Sequence, residues 1–225
     1  PSRPAALVIT PTRELALQVK AELDWLYAET GLVLASAVGG MDIRTERRVL
    51  SGRVDLLIGT PGRLVDHLNR NSFHPDHLRA VVLDEADEML DMGFREDLET
   101  LLKAAPEQRR TLMFSATVPR TIAALARRYQ TEAMRVETIS AEEQHKDITY
   151  QACSVRPSDR QNAIINLLRY HDDTKAVIFC ATRASVSYLS TRLANRGLSV
   201  VALSGDLNQA ARNQAIQAMR DGRAR

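Results

Sequence analysis

Residues 80–87 read AVVLDEAD, a short apolar run that passes directly into three carboxylates within four positions. Four consecutive apolar residues bounded by polar sequence are typical of a strand buried on both faces of a parallel sheet. Adjacent Asp and Glu side chains at the end of such a strand suit a metal-holding carboxylate beside a water-activating one, as in nucleotide hydrolases. For these four letters alone, a solvated acidic loop is the alternative.

The same alternation of a short apolar run and an amphipathic stretch extends along the chain on both sides. Before residue 140 the predicted strands are 5–10, 32–38, 55–59, 80–83, 111–114 and 135–139. The predicted helices are 13–29, 43–50, 63–69, 95–103 and 121–129. Strands and helices that alternate in this way indicate βα units, and therefore a parallel sheet covered by helices on both faces.

A second run of this pattern follows a polar break. Residues 140–147 lose the apolar period and predict a linker between one domain at 1–139 and another at 148–225. In the second domain we expect strands at 148–155, 176–180 and 199–203, and helices at 160–170, 184–195 and 209–219. Three strands are fewer than a covered parallel sheet normally uses, so this domain is expected to lack its C-terminal strands.

Composition excludes several classes of protein. The 225 residues are 44% hydrophobic and 26% charged, which is typical of a globular protein rather than a disordered or fibrous one. No apolar run reaches the ~18 residues of a membrane span. The two cysteines and five histidines show no metal-ligand spacing, and a cytoplasmic location is expected. A net charge of +2 permits a polyanionic partner, and 4% aromatic residues are too few for a base-stacking surface.

Polar motifs follow most of the predicted strands. PTREL follows the first strand, GG the second, TPGR the third, DEAD the fourth and SAT the fifth, while ATR and SGD follow the last two strands of the second domain. The carboxyl ends of parallel strands lie at one edge of a sheet, where open α/β sheets bind ligands. Helix capping and turns explain each junction taken alone, whereas their joint occurrence indicates a binding site.

In this order the motifs resemble those of the DEAD-box ATP-dependent RNA helicases, in their bacterial-type form, over essentially the whole chain. The matching segments are PTREL at 11–15, GG at 39–40, TPGR at 60–63, DEAD at 84–87, SAT at 115–117, IFCATR at 178–183 and SGDLNQAAR at 204–212. The resemblance implies two RecA-like α/β domains with parallel sheets, ATP and Mg²⁺ as cofactors, RNA as partner and no membrane. It also implies local duplex unwinding, in which closure of the two domains bends one strand.

The resemblance implies roles for individual residues as well. Asp84 and Glu85 would serve Mg²⁺–ATP and hydrolysis, with Asp84 holding the metal through water. Asp87, Ser115 and Thr117 would link the nucleotide site to bound RNA. The residues that match the RNA-contacting motifs are Pro11, Thr12, Arg13, Gly39, Gly40, Thr60, Pro61, Gly62, Arg63, Arg183, Gly205, Gln209 and Arg212. Hydroxyl, backbone N–H and guanidinium groups bind phosphates, so RNA binding independent of base sequence is expected.

One motif that ATP hydrolysis requires is missing. No glycine in the chain is followed by lysine, so the phosphate-binding loop G-x-x-x-x-G-K-[ST] does not occur. The family places this loop before the segment that matches residue 5, and an arginine-rich motif after the segment that matches residue 225. Both RecA-like domains are therefore expected to be incomplete. We expect negligible ATPase activity from these 225 residues alone, and self-association of the incomplete second domain.

Two other functions stay open on the sequence. A catalytically inactive RNA-binding clamp or scaffold would keep the RNA-contacting motifs without the phosphate-binding loop. A DNA-translocating relative would share the two-domain core, although the DEAD, PTREL and TPGR segments argue against it.

Overall fold

The computed structural model describes residues 2–137 and 148–225. The chain divides into two compact units, Pro1–Val136 and Glu137–Arg225. Every strand ladder formed by the described residues belongs to the first unit. The linker predicted at 140–147 lies outside the described residues.

The first unit is built on a sheet of five parallel strands. The strands are β1 (Ala6–Ile9), β2 (Leu34–Ala37), β3 (Leu56–Gly59), β4 (Ala80–Leu83) and β5 (Arg110–Met113), and their order across the sheet is β2-β3-β1-β4-β5. The central strand β1 pairs with β3 and β4, so that Ala6 lies opposite both Leu56 and Ala80. The parallel α/β class expected from the alternating pattern is confirmed.

Helices cover both faces of this sheet. They are α1 (Arg13–Leu26), α2 (Ile43–Leu50), α3 (Pro61–Asn69), α4 (Ala86–Asp91), α5 (Arg95–Ala104) and α6 (Arg120–Tyr129). Successive strand residues point to opposite faces, so Val8 and Ile58 pack with Ala16 of α1 on one side. On the other side Leu7 and Leu57 join the larger core, to which α3, α5 and α6 contribute.

Two details of the first unit differ from the sequence prediction. The strand predicted at 135–139 does not form in its described part, since residues 135–137 are not part of a strand. The helix α4 was not predicted, although Ala86 and Met89 have the i, i+3 spacing of a buried helix face and are fully buried. This helix was missed in the sequence because the carboxylates of the DEAD motif interrupt its short apolar period.

In the second unit the helices form as predicted, and the strands do not. The helices are α7 (Arg160–Tyr170), α8 (Arg183–Ala194) and α9 (Gln209–Arg220). The segments predicted as strands, 148–155, 176–180 and 199–203, take part in no ladder among the described residues. A strand is stable only when a neighbour takes up its backbone hydrogen bonds and its side chains are covered. Here Val177 is 72% and Phe179 93% exposed.

Hydrogen bonds from Arg225, rather than a strand ladder, hold part of the second unit together. The Arg225 backbone N–H donates to Ser199 O at 2.9 Å. Its guanidinium group donates to the backbone oxygens of Leu168 and Thr174 at 3.3 Å, and of His171 at 2.9 Å. One arginine therefore joins the end of α7 and the turn that follows it to the extended segment that begins at Ser199.

Gly59, the last residue of β3, leaves no room for a side chain. A Cβ atom there would lie 2.5 Å from the carbonyl oxygen of Ala37 on β2 and 2.9 Å from the side chain of Leu64 on α3. We expect Gly59→Ala to lower the free energy of unfolding by about 1–3 kcal/mol, because the strand oxygen cannot move away without disturbing the ladder. Urea denaturation measures this. Gly52→Ala is the control, since its nearest neighbour, Val49 O, would be at 3.5 Å; equal losses in both variants would contradict the explanation.

Candidate functional site

The carboxyl edge of the sheet gathers the predicted motifs of the first unit. The ladder continues one residue beyond the strands through four backbone hydrogen bonds of 2.8–3.1 Å, from Thr10 N to Gly59 O, Thr60 N to Ala37 O, Asp84 N to Ile9 O and Phe114 N to Leu83 O. The segments PTREL, TPGR, DEAD and SAT therefore leave the sheet at the same edge. This is the edge at which open α/β sheets bind ligands.

The chain turns sharply at Glu85, between β4 and α4. Glu85 has φ +50° and ψ +52°, in the left-handed region that residues other than glycine rarely adopt. The turn is fixed by Ala86 N, which donates to Phe114 O at 3.0 Å just after β5. Strained backbone of this kind clusters at active sites. It leaves Glu85 exposed directly after the half-buried Asp84.

The acidity of Glu85 is altered by its surroundings. Although the residue as a whole is exposed, partial desolvation of the Glu85 carboxyl raises its pKa above the ordinary value of 4.5, and the negative charges of Asp84, Glu88 and Asp87 raise the pKa further. A carboxylate whose pKa is moved toward the working pH is a more effective general base. The DEAD segment therefore holds one carboxylate suited to accepting a proton.

Asp87 joins the DEAD segment to the SAT segment. Its Oδ2 accepts hydrogen bonds from Thr117 N at 2.9 Å and from Thr117 Oγ1 at 2.7 Å, and Ser115 Oγ donates to Thr117 O at 2.6 Å. Burial pushes the pKa of Asp87 upward. The hydrogen bonds from Thr117, Ser115 and the Glu88 N–H outweigh burial and hold this pKa below its ordinary value of 3.8. The two motifs form one hydrogen-bonded unit.

The link between Asp87 and Thr117 is expected to weaken in acid. Because the pKa of Asp87 is lowered in the folded chain, its ionised form stabilises the fold above the ordinary value of 3.8, and this contribution is lost as the pH falls through the folded-state pKa. Urea unfolding of the wild type and of Asp87→Asn across this pH range measures the effect. We expect the stability gap between the two proteins to shrink on acidification. A gap that stays constant with pH would contradict the assignment.

The donor atoms at this edge suit Mg²⁺. Asp84 and Glu85 offer carboxylate oxygens, which are the donors that hard cations prefer. Within residues 2–137 and 148–225, no group of three or more His, Cys, Asp or Glu residues is placed to hold a metal ion. Mg²⁺ commonly keeps several waters and binds through one or two carboxylates plus substrate phosphates, so a pair of carboxylates fits this ion.

Three motifs meet at the glycine loop, residues 38–41, which follows β2. Gly40 has φ +77°, and a Cβ atom there would lie 2.7 Å from Cζ of Arg13. A Cβ atom on Gly39 would lie 3.4 Å from the same guanidinium group, and Gly39 N donates to Thr60 Oγ1 at 3.4 Å. A guanidinium group and a bare backbone thus lie together, a combination suited to a sugar–phosphate chain. Thr60 is only 8% exposed, and its hydroxyl group supports the loop from behind.

The other residues of PTREL and TPGR shape the starts of two helices. Thr12 caps α1, where its Oγ1 accepts a hydrogen bond from Leu15 N at 3.3 Å, and Pro11 is buried just before it. Pro61 is the buried first residue of α3, a position that needs no N–H group, and Gly62 after it is exposed. The structure therefore places Thr12 and Gly62 at accessible helix starts and uses the two prolines for packing.

Arg63 is engaged inside the protein. Its Nη1 donates to Glu46 Oε2 at 2.8 Å, both terminal nitrogens donate to Met41 O at 3.2 Å, and its side chain is only 13% exposed. The resemblance assigned Arg63 to RNA contact, whereas in this structure the guanidinium group ties α3 to α2 and to the glycine loop. Sequence reasoning did not single out Glu46.

In the second unit, the predicted residues gather at the loop that precedes α9. Arg183 Nη1 donates to Asp206 Oδ1 at 2.8 Å, and a Cβ atom on Gly205 would lie 3.2 Å from the same guanidinium group. Arg212 Nη1 donates to Ser204 O at 3.4 Å. Gln209, the first residue of α9, donates through Nε2 to Asn213 Oδ1 at 3.0 Å. Asp206, which pairs with Arg183, was not among the predicted residues.

Comparison with known proteins agrees with the motifs. The family model described as DEAD/DEAH box helicase matches residues 1–125, more than half of the chain. The chain belongs to the DEAD/DEAH box helicase family. A second model, described as the helicase conserved C-terminal domain, matches residues 159–225. The DEAD-box resemblance seen in the sequence is confirmed.

Several named relatives are similar over nearly the whole chain. ATP-dependent RNA helicase DeaD of Escherichia coli (strain K12) is 38% identical over 98% of the chain, which covers 35% of that protein. DEAD-box ATP-dependent RNA helicase CshA of Geobacillus kaustophilus is 37% identical over 96% of the chain, which covers 46% of that protein. The chain thus spans between a third and a half of the length of these two relatives.

A solved structure shows a similar fold. The crystal structure of a DEAD box protein from the hyperthermophile Methanococcus jannaschii matches with a TM-score of 0.59 and 33% identity. The match covers 99% of this chain and 60% of that one. The RecA-like α/β class expected from the sequence is confirmed. In the described part of the chain, none of the helices has the length and apolar character required to cross a membrane.

Proposed function

We propose that this chain is the part of an ATP-dependent RNA helicase that couples Mg²⁺–ATP binding and hydrolysis to RNA backbone binding and local duplex unwinding. The observation that carries the proposal is the single sheet edge of the first unit. The acidic DEAD segment leaves this edge beside SAT, and the glycine loop, PTREL and TPGR leave the same edge. Nucleotide chemistry and strand binding therefore share one surface of one rigid sheet.

In the DEAD segment at this edge, Asp84 and Glu85 have different roles in hydrolysis. Asp84 would hold Mg²⁺ through water, and the bound ion would neutralise charge on the substrate phosphates. Glu85 orients the attacking water and accepts its proton on a carboxylate oxygen. The raised pKa of Glu85 supports this role, because it makes the carboxylate a better proton acceptor.

Asp87, Ser115 and Thr117 couple the two activities. Asp87 lies two residues after Glu85, and its hydrogen bonds to Thr117 carry any shift of the acidic turn to the segment after β5. Ser115 fixes the shape of that segment through its bond to Thr117 O. We propose that RNA binding reaches the nucleotide site through this unit.

RNA contacts come from groups that bind phosphates rather than bases. In the first unit the candidates are Thr12, Arg13, Gly40 and Gly62, and in the second unit they are Arg183, Gly205, Gln209 and Arg212. Thr60 is only 8% exposed and supports the glycine loop through its hydroxyl group. Phosphate and sugar contacts carry no base information, so binding is expected to depend on salt and strand geometry, and little on base sequence.

Hydrolysis also needs the phosphate-binding loop, whose motif does not occur in the 225 residues. We therefore propose that turnover belongs to a protein that combines this chain with such a loop, and that the chain by itself hydrolyses ATP at the background rate. The missing motif equally favours a second candidate, an RNA-binding clamp without catalysis. In that case, the longest reading frame that contains the chain would bind RNA and leave ATP intact.

A strand-displacement assay tests the proposed function. The longest reading frame is given short duplexes with an RNA or a DNA loading strand, and unwinding is followed with ATP and Mg²⁺ present. We expect ATP-dependent displacement on the RNA loading strand only. Displacement from both strands would support the DNA-translocating relative, and RNA binding without displacement would support the inactive clamp.

A further inference from the structure

A buried polar cluster lies behind the glycine loop, formed by Glu46 on α2 with Arg63 and His67 on α3. Glu46 is 8% and His67 0% exposed. Glu46 Oε2 accepts from Arg63 Nη1 at 2.8 Å and is 2.7 Å from His67 Nε2. A carboxylate can only accept hydrogen bonds, so the His67 Nε2 atom carries the proton in this contact.

This cluster holds the glycine loop at both ends. The second oxygen of the same carboxylate, Glu46 Oε1, accepts from Val38 N at 2.9 Å, just before the glycines. Arg63 donates twice to Met41 O, just after them. The backbone of residues 38–41 is therefore fixed by one carboxylate and one guanidinium group, which are themselves bonded to each other.

Burial makes this arrangement sensitive to the loss of any member. An ionised carboxylate in the interior is costly unless its oxygens are fully hydrogen-bonded. His67 supplies one of the bonds to Glu46, and its Nδ1 atom has no hydrogen-bond partner within the described residues. The imidazole thus makes a single polar contact, and that contact orients the carboxylate that holds Val38.

We infer that Glu46 and His67 are positioning residues for RNA backbone binding, which act by fixing the glycine loop and the Arg63 side chain behind the contact surface. The inference rests on the proposed function, since it assigns to the buried cluster the shape of the RNA surface formed by Gly40 and Arg13. Neither Glu46 nor His67 touches RNA. Their effect passes through the Val38 N–H and the Met41 carbonyl.

The test uses the 225-residue chain and a fluorescein-labelled single-stranded oligouridylate. Fluorescence anisotropy gives the Kd at fixed salt, thermal unfolding gives the Tm, and hydrogen exchange reports on the Val38 amide. His67→Leu removes the bond to Glu46. His67→Gln restores an N–H donor, and Leu68→Ala is the control because Leu68 lies on the same helix and packs against the larger core.

We expect His67→Leu to weaken RNA binding about tenfold, the factor that corresponds to ~1.4 kcal/mol, and to speed exchange at Val38. His67→Gln should recover most of the affinity, and Leu68→Ala should lower the Tm with an unchanged Kd. A lowered Tm with unchanged Kd and unchanged Val38 exchange in His67→Leu would overturn the inference. A wild type that binds no RNA would overturn the proposed function itself, and the exchange at Val38 would then still decide whether the cluster positions the loop.

Discussion

Replacing Glu85 by glutamine is expected to lower kcat for ATP hydrolysis by about 10²–10⁴-fold in a protein that carries this chain together with a phosphate-binding loop. Glutamine keeps the size and shape of the side chain, but it replaces one carboxylate oxygen by an NH₂ donor and removes the negative charge, so that it cannot accept a proton at neutral pH. Nucleotide and RNA affinities should therefore stay close to those of the wild type. Steady-state phosphate release at saturating ATP and RNA measures the effect.

Glu96→Gln is the matched control, because Glu96 is an exposed acid in the first turn of the neighbouring helix α5. It should hydrolyse ATP at the wild-type rate. Glu85→Gln should also raise the Tm of the chain at neutral pH. The raised pKa of Glu85 means that its ionised form disfavours folding above that pKa, and this cost vanishes below the ordinary value of 4.5. Normal hydrolysis by Glu85→Gln would show that another group is the general base.

Gly40→Ala is expected to weaken RNA binding about tenfold or more, the equivalent of one lost charge-assisted hydrogen bond. The added Cβ would lie 2.7 Å from Cζ of Arg13, so the guanidinium group must leave the position that it holds over the loop. Anisotropy with a labelled single-stranded RNA measures the change in Kd.

The control for Gly40→Ala separates displacement of Arg13 from backbone strain. Gly31 also has a positive φ, +69°, and a Cβ there would meet nothing within 4 Å. Gly31→Ala should therefore cost similar strain and leave the Kd unchanged. If both alanine variants lost RNA affinity equally, the role given to Arg13 and the glycine loop would be wrong.

The strands and most helices of the first unit could be predicted because their signals are local. A run such as AVVL in β4 is buried on both faces, and the helix predicted at 43–50 forms with those bounds. The common edge also follows from a general rule for parallel sheets. The set of motifs at the carboxyl edge of the sheet was therefore predictable from residue type and position in the sequence. The order of the strands across the sheet was not predicted from the sequence.

Glu46 and His67 of the buried cluster were not predicted, because they look like ordinary surface residues in the sequence. Glu46 lies on the face that Ile43 and Leu50 define at i, i+3 and i+7, and this acidic interruption of an apolar face was the available signal. His67 likewise follows the buried Leu64 by three residues. The hydrogen-bond partner of such a residue lies on another helix, and local periodicity does not indicate which helices pack together.

The prediction of strands in the second unit was wrong for a related reason. The residues of IFCATR have strong strand propensity, yet a strand also needs neighbours that accept and donate its backbone hydrogen bonds. In the structure Val177 and Phe179 stay exposed, and no described segment pairs with theirs. Arg183 and Gly205 nevertheless lie close together, and helix α8 begins at Arg183, after its Thr182 cap and one residue before the predicted start at 184.

The most direct test is ATP hydrolysis with and without single-stranded RNA, measured side by side on the 225-residue chain and on the longest reading frame that contains it. We expect background hydrolysis by the chain alone. We expect RNA-stimulated hydrolysis by the longer protein, and we expect this activity to disappear in Glu85→Gln. Robust turnover by the 225 residues, or hydrolysis in the longer protein that ignores RNA, would contradict the claim that one sheet edge joins nucleotide chemistry to strand binding.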